Sequence, residues 1–230
     1  MIDITNVVAS QRVLAHLDEG RLVRGKWHTV RDGRELACVL GSMDPAIDSP
    51  TKCPASVMPA WLAWLTVTLF DRQKDADAMA WARRYAGQMA RWHVLDDAAW
   101  DRVDVEFRVA CVETAVSKAE PVPKDLAVWP RVKAACEGVV TALRTGVGLP
   151  DASSAAAAAA SYAYAYAYAA AAAGAAYAAD AAAASYAAAA GAYAAYAADA
   201  AAAAGAYAAE LAKALCDIID GELAIMEALQ

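Results

Sequence analysis

The sequence predicts a mainly α-helical protein, with an N-terminal helical domain that carries one small β-hairpin, followed by a packed array of short alanine-rich helices. Three observations lead to this fold class. From Pro59 onward, apolar residues recur at helical spacing between short breaks. A single Asp32-Gly33 turn signal joins two apolar-containing runs. Alanine, the residue with the highest helix propensity, fills 40 of the 60 positions in 151–210.

Charge and aromatic composition both change near residue 150, and we place the domain boundary there. Residues 1–150 carry 19 lysines and arginines against 19 acids, whereas residues 151–230 carry one lysine and eight acids. All seven tryptophans precede residue 130, and nine of the ten tyrosines follow residue 160. We therefore predict a tryptophan-rich domain over 1–150 and an alanine- and tyrosine-rich tail over 151–230.

The β-hairpin is predicted near residues 25–40. Asp32-Gly33 favours a two-residue turn, because both central positions of that turn need a positive φ. The flanking runs predict strands at about 25–31 and 34–40. The four prolines that follow predict a surface loop over 41–60.

Helices are predicted on both sides of the hairpin. Gly20 ends the first, and Pro59 suits the first turn of the second. Aspartates near the expected starts of the other helices support those helices, because a carboxylate stabilises the positive end of a helix. The predicted helices cover about 9–19, 59–71, 75–92, 96–118 and 125–145.

The tail is predicted to form several short antiparallel helices, because an unbroken helix over 152–212 would be about 90 Å long. Breaks are expected at glycines or at aspartates that can cap helices. The candidates are Gly174, Gly191 and Gly205, or Asp180 and Asp199. Leucine and isoleucine return on one face of the last 20 residues, which predicts a docking helix. The alanine faces also favour homo-oligomers.

Several classes of protein are disfavoured. The start MIDITNVVAS lacks a basic, apolar leader, and the five cysteines show no CxxC spacing, which indicates reduced thiols in a cytoplasm. The apolar run over 61–70 is shorter than the ~20 residues of a membrane span, so no membrane association is expected. The tail's acidic charge disfavours double-stranded nucleic acid. No cofactor motif is present, and the three histidines are not spaced as a metal-ligand pair.

Three segments carry a resemblance to a known group. They are GKWHTVRDGRELACVLGSM, CPASVMPAWLAWLTVTLFD and RYAGQMARWHVLDDAAW. Together with the alanine tract they resemble alanine-rich accessory proteins of bacteriophage genomes. The tail also resembles alanine-rich immunity proteins of bacterial toxin systems. The phage resemblance implies a protein of the host-cell cytoplasm, outside the virion machinery, that acts against host defences. That group brings no established activity, so no functional residue is carried over from it.

A basic and aromatic segment over 21–34 is the first candidate binding surface. Guanidinium groups bind phosphate in a bidentate manner, and an indole can stack on a nucleotide base. The alternative is a solvated hairpin with its indole buried. The candidate residues are Arg24, Trp27, His28, Arg31 and Arg34.

A second candidate lies on the predicted helix over 75–92. Trp81 shares a face with further aromatic residues, and Arg84 and Arg91 flank this face. One interpretation is an aromatic groove edged by arginines. The other is a core stripe whose arginines reach to solvent.

Catalysis has one candidate pair, His28 and Cys38, on the two arms of the hairpin. A thiol beside an imidazole can act as a nucleophile. A buried structural cysteine explains Cys38 equally well.

The expected function is non-enzymatic binding. We predict a phage-type counter-defence protein that sequesters a host protein or a nucleotide signal. The alternatives are a small Cys/His hydrolase and a structural alanine-helix scaffold such as a toxin-immunity protein.

Overall fold

The computed structural model describes residues 4–119, 128–164 and 204–229. Within these ranges the chain is mainly helical and contains one antiparallel hairpin, which confirms the predicted fold class. The strands are β1 His28–Arg31 and β2 Arg34–Ala37. The helices are α1 Asn6–Asp18, α2 Val39–Met43, α3 Ala60–Arg72, α4 Asp75–Met89, α5 Asp97–Ala119, α6 Val128–Thr145, α7 Leu149–Tyr164 and α8 Ala204–Ala228. The predicted breaks between 165 and 203 and the predicted helix start at Asp125 lie outside the described residues.

Two compact units divide the chain: Met1–Val103 together with Ala212–Gln230, and Asp104–Leu211. Helices α5 and α8 contribute residues to both. The compositional boundary near residue 150 therefore lies within the second unit, at the start of α7.

The turn of the hairpin has the predicted geometry. Asp32 and Gly33 have φ of 53° and 73°, as a two-residue turn between right-twisted strands needs. In the register, His28 lies opposite Ala37 and Arg31 opposite Arg34.

The prediction that the second strand reaches residue 40 was wrong. It ends at Ala37 because Cys38 is the N-cap of α2, where its Sγ accepts a hydrogen bond from the Gly41 amide at 3.4 Å.

Residues 41–60 are more than the surface loop that their prolines predicted. They hold the end of α2 and a 3₁₀ turn over Pro50–Lys52. Met43, Ile47 and Met58 in this segment are at most 1% exposed. Apolar burial thus folds this proline-punctuated segment into the core, because these side chains lose contact with water there.

The core of the first unit is built around aromatic rings. Trp81 stacks on Tyr85 at 4.6 Å between ring centroids, and Tyr85 meets Trp92 edge-to-face at 4.9 Å. The Tyr85 hydroxyl is hydrogen-bonded to Thr66 Oγ1 at 2.5 Å, so that this buried polar group is satisfied.

The C-terminal part of α8 completes this core. Leu215, Ile219 and Leu223 recur on one face and are fully buried. The Gln88 amide donates to the Cys216 carbonyl oxygen at 2.7 Å. Arg102 contacts Glu222 at 2.9 Å at the border of the same face.

The second unit contains α6, α7 and the adjoining parts of α5 and α8. Val112, Val132 and Val139 are buried in it. The Tyr207 hydroxyl donates to the Cys111 carbonyl oxygen at 3.1 Å, which satisfies its polar end. Across the described ranges, no helix combines the length and apolar character that crossing a membrane requires.

Candidate ligand-binding cleft

A cleft of about 740 Å³ opens between α1, the hairpin and α2. This volume lies in the range of small-molecule sites, about 300–1,000 Å³. Apolar side chains of the hairpin border it, namely Val30, Leu36 and Ala37, and α2 contributes Gly41 and Ser42. Its ionisable lining residues are Arg12, His16, Arg21, His28, Glu35 and Asp44.

Helix α1 supplies Arg12 and His16, which are one helical turn apart and therefore share a face. Arg12 Nη1 donates to the Met43 carbonyl oxygen at 2.7 Å and to Asp44 Oδ2 at 3.0 Å. His16 Nδ1 donates to the Arg12 carbonyl oxygen at 3.0 Å. These bonds fix Arg12 against the end of α2 and direct His16 Nε2 away from its own helix.

His28 enters the cleft from β1, and Gly41 makes room for its ring. His28 Nε2 donates to the Ile47 carbonyl oxygen at 3.3 Å. A Cβ at position 41 would lie 2.6 Å from the Trp27 carbonyl oxygen and 2.9 Å from His28 Cε1. The position of the imidazole therefore depends on a glycine in α2.

Arg21 pairs with an acid, Glu19, that is not among the residues lining the cleft. Its Nε lies 2.6 Å from Glu19 Oε2, and the Glu19 side chain is 58% exposed. The Arg21 side chain is 26% exposed, and its buried Nε has no hydrogen bond of good geometry within the described part of the chain. An anionic ligand in the cleft would compete with Glu19 for this guanidinium.

The structure separates the residues of the basic and aromatic segment. His28 lines the cleft, and Trp27 is half-buried beside it. Arg31 and Arg34 are exposed at the turn, where they form a cross-strand pair. Arg24 points to a different part of the unit.

Arg24 holds the α3–α4 junction. Its Nη1 donates to the Asp71 carbonyl oxygen at 3.1 Å and to the Gln73 carbonyl oxygen, and its Nε donates to Asp75 Oδ1 at 2.6 Å. Carbonyls at a helix end lack partners within the helix, and the guanidinium supplies them. Arg24 is thus placed as a structural residue.

We expect Arg24→Ala to lower the free energy of unfolding by about 2–3 kcal/mol, since hydrogen bonds to charged groups contribute about 1.5–3 kcal/mol. Urea unfolding measures this loss. Arg31→Ala is the matched control and should change stability by less than about 0.5 kcal/mol, because Arg31 is exposed. Equal stability of the two variants would contradict the assigned role of Arg24.

The aromatic stripe of α4 belongs to the packed interior. Trp81 is 6% exposed, so its ring offers no open face to a ligand. Arg84 pairs with Asp217 at 2.8 Å and with Asp220 at 2.7 Å, while Arg91 pairs with Glu227 at 2.7 Å. The groove interpretation is thereby corrected, because the C-terminal part of α8 supplies the acids that both arginines contact.

The His28–Cys38 pair lacks an activated thiol. Burial raises the pKa of Cys38, and its Sγ caps α2. Because the thiolate is the nucleophile, a raised pKa disfavours nucleophilic chemistry near neutral pH. The geometry therefore lends no support to the hydrolase alternative.

Cysteine reactivity tests this description. Burial raises the pKa of the Cys53, Cys136 and Cys216 thiols to about 12, and also raises the pKa of Cys38 and Cys111. At pH 8 we expect all five thiols to react with a thiol-specific disulfide reagent more than about tenfold more slowly in the folded protein than in urea. Rapid labelling of native Cys38 would restore the case for a nucleophile.

No known protein family, curated protein or solved structure matches this chain. Among the described residues, no group of three or more potential ligands is arranged to hold a metal ion. Of the residues in the cleft, sequence reasoning identified His28 as a site residue. It missed Arg12 and His16, whose four-residue spacing on a short helix was the available signal.

Proposed function

We propose that this chain is a non-enzymatic, phage-type accessory protein that captures a small phosphate-bearing ligand, such as a nucleotide signal, in the cleft between α1, the hairpin and α2. The observation that carries the proposal is the composition of that cleft. Two arginines and two imidazoles line a volume of about 740 Å³ beside an apolar wall. The host-cell cytoplasm is the proposed location.

The cationic side chains suit phosphate in number and kind. Arginine presents a planar fork of donors that matches phosphate oxygens. Both imidazoles use one ring nitrogen on a backbone carbonyl, so the second nitrogen of His16 and of His28 becomes a donor when the ring is protonated.

The remaining lining residues discriminate between anions. Glu35 and Asp44 add negative charge to the cleft, and Asp44 is already paired with Arg12. A ligand with apolar surface beside its phosphate also gains contact with Val30 and Leu36. A nucleotide offers both a phosphate group for the arginines and apolar surface for Val30 and Leu36. Inorganic phosphate offers only the first of these.

Isothermal titration calorimetry with pyrophosphate, ATP and adenosine tests the proposal. ATP should bind more tightly than pyrophosphate, and adenosine most weakly. Arg21→Gln should weaken ATP binding about tenfold to a hundredfold, since one charge-assisted hydrogen bond contributes about 1.5–3 kcal/mol. Circular dichroism should show unchanged helicity, because Arg21 lies outside the helices of the described residues.

The Arg31→Ala/Arg34→Ala double variant is the matched control. These arginines are exposed at the turn and do not line the cleft. If the double variant loses affinity while Arg21→Gln keeps it, the anion binds at the tip of the hairpin, as the sequence alone predicts. If adenosine and ATP bind equally, or if none of the three binds at millimolar concentration, the proposal is contradicted.

A further inference from the structure

The outer edge of β1 is open. In an antiparallel pair, residues alternate between those whose backbone N–H and C=O groups bond to the partner strand and those whose groups point away from it. Arg31 and Arg34 flank the two-residue turn and lie opposite each other, so they form a hydrogen-bonded pair. By this alternation, the backbone groups of His28 and Val30 point away from β2.

The outer edge of β2 confirms this alternation. Ala37 lies opposite His28. Its amide donates to the Arg21 carbonyl oxygen at 3.0 Å, and its carbonyl oxygen accepts from the Val23 amide at 2.9 Å. The segment of Arg21 and Val23 therefore covers the edge of β2. Within the described part of the chain, no group is hydrogen-bonded to the outward backbone groups of His28 or Val30.

One face of the hairpin carries two arginines without an acid. Arg31 is directly opposite Arg34, and like charges in this arrangement destabilise a sheet. The other strand residues on this face are Thr29 and Leu36. Both arginines are exposed, and neither forms an ion pair or a side-chain hydrogen bond within the described ranges. Val30, which projects from the opposite face, is an apolar residue that is 68% exposed.

We propose that β1 binds an extended acidic segment of a partner protein, which adds to the hairpin as a further strand. In this mode of recognition, main-chain hydrogen bonds supply affinity and alternate side chains supply specificity. A carboxylate opposite Arg31 would lie beside the Arg31–Arg34 pair, and the neighbouring residue of the segment would place an apolar side chain beside Val30. Charge complementarity favours this occupant over a second copy of the hairpin, which carries the same two arginines.

Calorimetry on the full chain tests the chemistry of the partner. The probe is a capped peptide of alternating glutamate and valine, and its control carries lysine in place of glutamate. The acidic peptide should bind about tenfold or more tightly than the lysine peptide, because attraction to the arginines replaces repulsion. The difference should become smaller at high salt, which screens exposed charges. Equal binding of the two peptides, or no binding of either at millimolar concentration, would overturn the proposal.

Amide hydrogen exchange followed by NMR locates the added strand. In the free protein, the amide of Val30 should exchange faster than that of Thr29, which bonds to β2. Saturating acidic peptide should slow the exchange of the Val30 amide about tenfold or more and leave that of Thr29 little changed. If the peptide binds and the exchange of Val30 stays the same, the peptide lies elsewhere and the proposal is wrong.

Val30→Pro tests the backbone pairing. Proline removes the outward amide at this position but no hydrogen bond to β2, and edge strands tolerate proline where the N–H faces outward. It should weaken binding of the acidic peptide about tenfold or more. The matched variant Val30→Thr keeps the amide and should change the affinity little. A dimer of the chain alone in sedimentation, dissociated by Val30→Pro, would assign this edge to a second copy and contradict the proposal.

Arg31→Ala with Arg34→Ala tests the charge and removes no backbone donor. This double variant should weaken binding of the acidic peptide about fivefold to tenfold, since one exposed ion pair changes affinity by up to about fivefold. Its affinity for ATP should be unchanged, because neither arginine lines the cleft between α1, the hairpin and α2. Arg21→Gln should keep its affinity for the peptide, so that this result is independent of the proposed phosphate site. Unchanged peptide affinity in the double variant would overturn the proposal, whether or not Val30→Pro folds.

Discussion

Ile219→Ala is expected to lower the free energy of unfolding of the first unit by about 2–5 kcal/mol, the range for truncating a buried isoleucine. Ile219 is fully buried on α8, between Leu215 and Leu223 on the same face. The total stability of a domain is about 5–15 kcal/mol. One substitution, more than 100 residues along the chain from α4, is therefore expected to remove a large part of the stability of the N-terminal fold.

Tryptophan fluorescence during urea unfolding measures this effect, because six of the seven tryptophans belong to the first unit. Ile225→Ala is the matched control, since Ile225 lies on the same helix and is 52% exposed. It should lower stability by less than about 1 kcal/mol. If the two variants unfold at the same urea concentration, α8 does not contribute to this core as described.

Gly41→Ala is expected to be the most damaging small substitution near the cleft. The added Cβ would lie 2.6 Å from the Trp27 carbonyl oxygen, and backbone cannot move aside as a flexible side chain can. Overpacking of this kind lowers stability by about 1–3 kcal/mol or more. It should also displace His28 and weaken anion binding.

Gly87→Ala provides the contrast. A Cβ at this exposed position of α4 meets nothing within 4 Å, so the alanine should stabilise the helix by about 0.5–1 kcal/mol. Thermal melting and ATP calorimetry on both variants check the pair. A Gly41→Ala protein with unchanged melting temperature and unchanged affinity would show that the ring of His28 does not depend on this glycine.

Local chemistry explains which elements were predictable. The Asp32-Gly33 turn and the glycine after α1 depend on a few neighbouring residues, and both lie where predicted. The start of α5 is equally local, since Asp96 Oδ1 accepts from the Ala99 amide at 2.8 Å. In each case residues within three positions of one another are sufficient, through a positive φ or a side-chain cap.

Long-range packing explains the rest. Nothing near Cys38 indicates that the second strand stops there and that α2 begins. Nothing near Arg24 shows that its guanidinium binds carbonyls of residues 71 and 73. The cleft combines side chains from α1, the hairpin and α2, and only the folded chain brings them together. The basic segment over 21–34 therefore contributes to two places in the fold. Arg24 binds the α3–α4 junction, whereas His28 lines the candidate site.

Two-dimensional NMR of the histidine rings tests the central claim most directly. The chain has three histidines: His16 and His28 line the cleft proposed to bind phosphate, and His93 does not. Addition of ATP is expected to shift the ring resonances of His16 and His28 together and to leave His93 unchanged. Shifts confined to His93, or no shift of any ring at saturating ATP, would contradict the account.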